Sequence, residues 1–273
     1  MHFSNHYYGQ AHVLARYCGM DEQDPPTIWG LLQHGWNPLH GHGLAKKPPP
    51  LGFPNFVWSD AARRRGQAWG WRDFVVIGAT WAYLMEVVPS AVEPAERRGT
   101  IWYPFHGAEI GAVTGDHANL VAEVMETEDE PVTFCLYWYE WEDDAIRSVY
   151  EASGARVICH GRRGMHRQGT DTDFMYRQHD EISRHRRVCS NRLSTAVFYG
   201  AATGCEVGVY GDPMQFAAEI PASERKDHVR RLLPEMHGVR VDPDLARETT
   251  TRELGLDRLV GPDELRGLFG WDR

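Results

Sequence analysis

The strongest constraint on this chain is an alternation that begins beyond residue 115, where amphipathic helix and short apolar strand succeed one another down to residue 213. Helices are expected over 117–126, 142–152, 173–185 and 193–203, and strands over 131–137, 155–159, 187–189 and 205–210. Apolar strands each followed by an amphipathic helix are the pattern of right-handed βαβ units on a parallel sheet, so the fold class is α/β. The earlier part carries the same elements less regularly. Strands are expected at 27–33, 55–58, 73–78 and 100–104, with helices over 4–18, after the capping Ser59, and over 80–88. The Gly-, Pro- and His-rich stretch 35–55 reads as a long loop of the functional kind. The glycine-bearing segment 107–115 reads as the boundary between a first α/β lobe, residues 1–110, and a second, residues 117–273. The tail from 222 is charged, and a small capped helix over 262–271 has an apolar end expected to dock back.

With 273 residues, 42% hydrophobic and 25% charged, the chain can bury a core of one large or two smaller domains, and disorder is excluded as its main state. A formal charge of −9 argues against non-specific nucleic-acid binding. Local clusters (Arg63-Arg64-Arg65, Arg162-Arg163 with Arg167, Arg184 to Arg187) still leave room for an anion site. There is no apolar run of membrane-spanning length and no signal-peptide pattern at the N-terminus. Five cysteines without a C-x-x-C pair fit free thiols in a reducing cytoplasm. The apolar content and ten tryptophans are compatible with a homodimer interface.

The segment richest in chemistry runs from Arg187 to Gly200: a short apolar strand, then Ser190, Asn191, Ser194 and Thr195, then a helix at once. Ligands of open parallel sheets bind outside the carboxyl ends of strands, where the next helix offers free N–H groups and a positive dipole end to an anion. Gly200 and Gly204 would let that helix lie close on the sheet, and the turn at Gly211-Asp212-Pro213 should sit beside the same crevice. The same residues would also serve plain helix capping. Neither G-x-G-x-x-G nor a P-loop occurs, which disfavours a usual NAD site and a P-loop nucleotide site.

The run VCSNRLSTAVFYGAATGCEVGVYGDP, residues 188–213, resembles the nucleotide-binding half of GT-B glycosyltransferases, above all the bacterial capsule and cell-surface polysaccharide transferases. The resemblance covers this run well and the alternation over 117–213 loosely. It implies two Rossmann-like lobes facing a central cleft, a nucleotide-sugar donor, and Ser190, Ser194 and Thr195 around the donor phosphate. The chain is short for that fold and lacks a His-Pro pair of the kind several of those families place near the donor.

Three histidines follow expected strands or lie among glycines: His34, His106 and His160. A histidine at a strand end can take a proton from an acceptor hydroxyl or balance a leaving phosphate. His106 with Glu109 sits at the expected lobe junction and is the first choice; Asp60 is the second candidate base, and Arg162 and Arg163 could neutralise a diphosphate. Each has a structural alternative, as a strand-end or solvated loop residue. Asp171-Thr172-Asp173 has the D-x-D form of a metal–nucleotide motif but opens a helix, which capping explains. The aromatic run Tyr137 to Glu142 could stack on a sugar or base, or pack between lobes. The expected activity is metal-independent sugar transfer from a nucleotide sugar to a carbohydrate or other hydroxyl acceptor, without a cofactor. Two rivals stand beside it: a metal-dependent hydrolase or sugar-nucleotide epimerase using His34, His40 and His42, and a non-catalytic nucleotide-binding protein.

Overall fold

The computed structural model describes residues 3–38, 52–107, 111–164, 169–216 and 228–272. A 3-10 segment, Phe3–Gly9, leads into helix α1 (Gln10–Tyr17), strands β1 (Leu31–Leu32) and β2 (Asn55–Val57), helix α2 (Asp60–Ala68), strand β3 (Phe74–Val76) and helix α3 (Thr80–Val87). Next come β4 (Thr100–Tyr103), β5 (Val113–Thr114), α4 (His117–Thr127), β6 (Val132–Cys135), α5 (Trp138–Trp141), α6 (Asp144–Glu151) and β7 (Arg156–Ile158). They are followed by α7 (Phe174–Arg184), β8 (Arg187–Ser190), α8 (Thr195–Ala202), β9 (Glu206–Val209), β10 (Gln215–Phe216), α9 (Pro243–Leu254) and α10 (Pro262–Phe269).

The chain forms two compact units. Met1–Pro89, Arg162–Tyr176 and Glu248–Arg273 make the first, and Ser90–Gly161 with Arg177–Arg247 make the second. The division expected between 110 and 117 therefore differs from the one observed. β4, assigned by its position to the first lobe, pairs with β6 on one side and β8 on the other. The expected boundary segment contributes β5, which pairs antiparallel with β10. Apolar patterning announces a strand but not the sheet it joins, because the partners that decide it lie far along the chain.

In the first unit β1, β2 and β3 form a parallel sheet in chain order. The strand expected over 27–33 shrinks to Leu31–Leu32, and backbone groups at and around it are satisfied outside the ladder. Trp29 N–H donates to Phe269 O, Asn5 Nδ2 donates to Gly30 O, and Asn5 Oδ1 accepts from Leu32 N–H. Ser59 caps α2 as expected, accepting from Ala62 N–H. Gly66 lets that helix lie on β3, since an added Cβ would come 2.2 Å from Phe74 Cζ. The last helix docks back: Leu265, Phe269 and Trp271 join Leu14, Leu32 and Phe56 in one buried cluster.

The second unit holds a five-stranded, all-parallel sheet in the order β7-β6-β4-β8-β9. Numbered by appearance in that sheet the order is 3-2-1-4-5, the doubly wound Rossmann arrangement, whose crossovers reverse direction between β4 and β8. Gly200 brings α8 onto β8, where an added Cβ would lie 2.5 Å from Val188 Cγ2. One face buries Trp102, Leu120, Val124, Phe134 and Tyr150 together.

At the strand starts a polar network is shut inside. Arg187, 2% exposed, lies 3.5 Å from Glu128, 4% exposed. Glu128 also accepts from Thr100 Oγ1 and from Tyr210 O–H, each at 2.6 Å. His160, after β7, is fully enclosed as well, with Nε2 3.0 Å from the Tyr103 hydroxyl. Burial pushes its imidazole down to about 3. No helix of the described residues is long and apolar enough to cross a membrane, and all five cysteines are free thiols.

Two outcomes follow. Glu128→Ala strands a buried guanidinium and should cost about 3–5 kcal/mol in urea unfolding; a loss no larger than that of a surface pair would mean the carboxylate does not compensate Arg187. For His160 the unfolded chain takes up a proton near the usual 6.5 and the folded one only near 3. Between those pH values the unfolded state binds the extra proton, so stability drops as pH falls, by on the order of 1.4 kcal/mol per pH unit at most. His160→Gln should remove one proton's worth of that slope, and an unaltered slope would show that the ring is not held neutral.

Candidate functional site

The switch point of the second unit's sheet lies between β4 and β8, and the chain leaving those two strands builds the site. Beyond β8, Asn191 joins both sides of the crevice. Its Oδ1 accepts from Phe105 N–H, just past β4, at 2.6 Å, and its Nδ2 donates to Asp212 O, past β9, at 2.6 Å. Gly211, with φ +91°, stands beside it; an added Cβ would press on Leu120 Cδ1 at 2.9 Å and reach Asn191 Cβ at 3.8 Å. The expected meeting of Asn191 with the Gly211 turn is thus present in the fold. Arg192 lays its guanidinium 3.7 Å over the Phe105 ring and donates to Pro213 O and Met214 O. A cation therefore stands at the crevice, held by an aromatic face and two carbonyls.

Ser194 is the N-cap residue of α8, with extended backbone angles, yet its hydroxyl makes no capping bond. Its Oγ is buried with no hydrogen-bond partner among the described residues. An N-cap serine normally accepts from the N2 or N3 amide. Here those helix N–H groups are left without it, at a terminus whose dipole favours negative charge. Thr195 is the first residue of that helix, and Ser190, buried at the end of β8, accepts from Arg192 N–H.

The β4 side supplies the histidine. His106 is exposed, and its ring stacks on Tyr137 at 4.1 Å between centroids and 25° between planes. Its Nδ1 lies 2.7 Å from Gly107 O. A carbonyl can only accept, so the neutral ring carries its proton on Nδ1 and its lone pair on Nε2, as a general base requires. Glu140, on α5, accepts from Gly107 N–H while almost entirely buried, and burial raises its carboxyl pKa.

The structure distributes the other expected residues differently. Glu109, His40 and His42 lie outside the described residues. His160 is enclosed against Tyr103, and Arg177 Nε donates to its carbonyl, so its ring is a neutral internal hydrogen-bonding group. Asp60 sits at the start of α2 paired with Arg63 at 2.8 Å and Arg258 at 3.1 Å. Arg162 and Arg163 belong to the first unit. There Arg163 meets His34, Nη1 to Nε2 3.4 Å, with its guanidinium over Tyr7, and His34 stacks on Tyr8. Asp171 closes the turn before α7, accepting from Asp173 N–H, in keeping with capping. Among the described residues no group of three or more His, Cys, Asp or Glu could hold a metal ion.

Sequence reasoning missed Arg192, Phe105 and Glu140 as individual residues of this crevice. For Glu140 a signal existed, an acid inside the aromatic run after β6. Arg192 and Phe105 have none in the linear chain, because their contact is made across β4 and β8.

No protein-family model matches the chain and no curated protein matches it. Among solved structures it is similar to a Listeria monocytogenes protein assigned as a UDP-N-acetylglucosamine 2-epimerase, with a TM-score of 0.39 and 14% identity over 74% of this chain and 50% of that one. It is similar also to a glycosyltransferase from Rickettsia africae, with a TM-score of 0.36 and 11% identity over 86% of this chain and 67% of that one. The chain spans half the length of the epimerase.

Proposed function

We propose that this protein is a glycosyltransferase of the GT-B kind, moving a sugar from a nucleotide donor to a hydroxyl acceptor without a metal ion. The observation that carries the reading is the switch point of the sheet: an α8 N-terminus after β8 whose capping hydroxyl, Ser194 Oγ, is left without a partner among the described residues, and an exposed His106 ring on the loop that leaves the neighbouring β4. Donor phosphate takes the helix N–H groups together with Ser194 and Thr195, and Asn191 holds the surrounding turns in register. In the transfer the acceptor oxygen bonds to the anomeric carbon, the carbon–phosphate-oxygen bond breaks, and the acceptor proton passes to His106 Nε2. The departing phosphate keeps the electron pair, and its charge is stabilised by the helix terminus and by the Arg192 guanidinium nearby.

The metal-enzyme reading leans on His34, His40 and His42, of which only His34 lies among the described residues, placed between Tyr7, Tyr8 and Arg163. It is tested in the same experiment.

A thermal-shift screen with CMP, UDP, GDP and TDP and their sugars, with and without Mn²⁺ and EDTA, should give a metal-independent rise with one nucleotide class. Ser194→Ala combined with Thr195→Ala should weaken that nucleotide about tenfold, the worth of one or two hydrogen bonds to a charged group, with folding intact. Unchanged affinity in the double variant would remove phosphate from α8, and a response to metal alone would favour the histidine-cluster enzyme. Given a donor and an acceptor, His106→Gln should lower turnover by about 10²–10⁴ while nucleotide binding stays; full turnover would take His106 out of the base role. Nucleotide binding with no turnover of any donor would make the protein a binding protein.

A further inference from the structure

Glu140 is an acid in an uncomfortable place. It is 4% exposed, its Oε2 has no hydrogen-bond partner among the described residues, and its Oε1 receives the Gly107 N–H. Burying a carboxyl without a cation is costly, and this one is held on α5 where an apolar residue would pack at lower cost. What the carboxylate does grip is the turn after β4. Gly107 is the residue directly following His106, and its carbonyl faces His106 Nδ1. The His106 ring rests on Tyr137, the residue that opens α5. The ring contact with Tyr137 and the hold on the following peptide thus both come from the single short segment 137–140, while Phe105 also lies against the ring at 6.3 Å between centroids. The glycine at 107 agrees with this. An added Cβ would lie 3.0 Å from both Glu140 Oε1 and Gly111 O, so the carboxylate comes up to the backbone where a side chain would crowd it.

We propose that Glu140 is the positioning residue for His106: its carboxylate, through the Gly107 N–H, fixes the turn that lays the imidazole on Tyr137. The kinetic consequence rests on the transferase reading, whereas the placement of the ring does not. Glu140→Gln keeps a carbonyl oxygen of the same reach for the Gly107 amide. Glu140→Asp keeps the charge but falls one methylene short. The two variants therefore separate geometry from charge.

The test uses the full chain. His106 side-chain resonances, assigned by their loss in His106→Gln, are followed in the wild type and in both Glu140 variants. Stacking on Tyr137 places the His106 ring protons upfield in the wild type. Glu140→Asp should return them toward the values of an exposed histidine, and Glu140→Gln should restore the upfield position. Where transfer is measurable, kcat should fall about 10- to 100-fold in the Asp variant at unchanged donor KM, a size expected from misplacing a base by about an ångström, and the Gln variant should recover most of it. Unmoved His106 resonances in Glu140→Asp would overturn the proposal, as would equal displacement in both variants. If the wild type transfers no sugar, the transferase reading fails while the resonances still decide the placement of His106.

Discussion

The second unit depends on one constraint, that β4 must find a parallel partner on each of its edges. β6 takes one and β8 the other, and a central strand with two parallel neighbours leaves only its ends open. At the strand starts the opening is closed by the Arg187–Glu128 pair with Thr100 and Tyr210. Charges so enclosed are tolerable only as a set, since each member's desolvation is offset by the others. At the strand ends the Tyr103–His160 pair is enclosed beyond β7, and the switch point lies between β4 and β8. The crossovers on either side of β4 and β8 lead to opposite faces, so the loops diverge and a crevice remains. The architecture thus seals one end with a polar network and leaves Ser194 Oγ and Glu140 Oε2 at the other without a partner among the described residues.

The chemistry of that open end follows from what the loops bring. Asn191 uses both ends of its amide to tie the loops after β4 and β9, so the start of α8 is held at a set place between them. Ser194 contributes nothing to the capping of that helix. On the β4 side an imidazole lies flat on an aromatic ring, and a buried acid holds the adjoining peptide. The loops at this end thus carry an N-cap hydroxyl without a partner among the described residues and an imidazole stacked on an aromatic ring.

The first unit solves a different problem. Among the described residues its sheet has three short strands, and buried amide side chains bond backbone groups beside them. Asn5 stands in for a neighbour of β1, and Gln33 accepts from the Trp58 amide. The short strands of this unit are legible in sequence only as apolar runs, and the run over 27–33 overstates its strand for that reason. His34 and Arg163, singled out separately from their local residues, meet here across 128 intervening residues.

By itself the sequence determined the α/β class, the helices α4, α6, α7 and α8 and the five parallel strands of the second unit but not α5, β5 or β10, the Ser59 cap, the docking of the last helix, and the strand–turn–helix at 187–202. These depend on local periodicity, capping and glycine placement, which act over a few neighbouring residues. Tertiary structure alone decided that Thr100–Tyr103 is the centre of the second sheet and not an edge of the first lobe. It also decided that His160 is enclosed and neutral while His106, in a similar His-Gly setting, stands exposed on Tyr137. Burial, tautomer and partner choice depend on which distant segments arrive at a strand end, and strand pairing sets that, not the residues on either side.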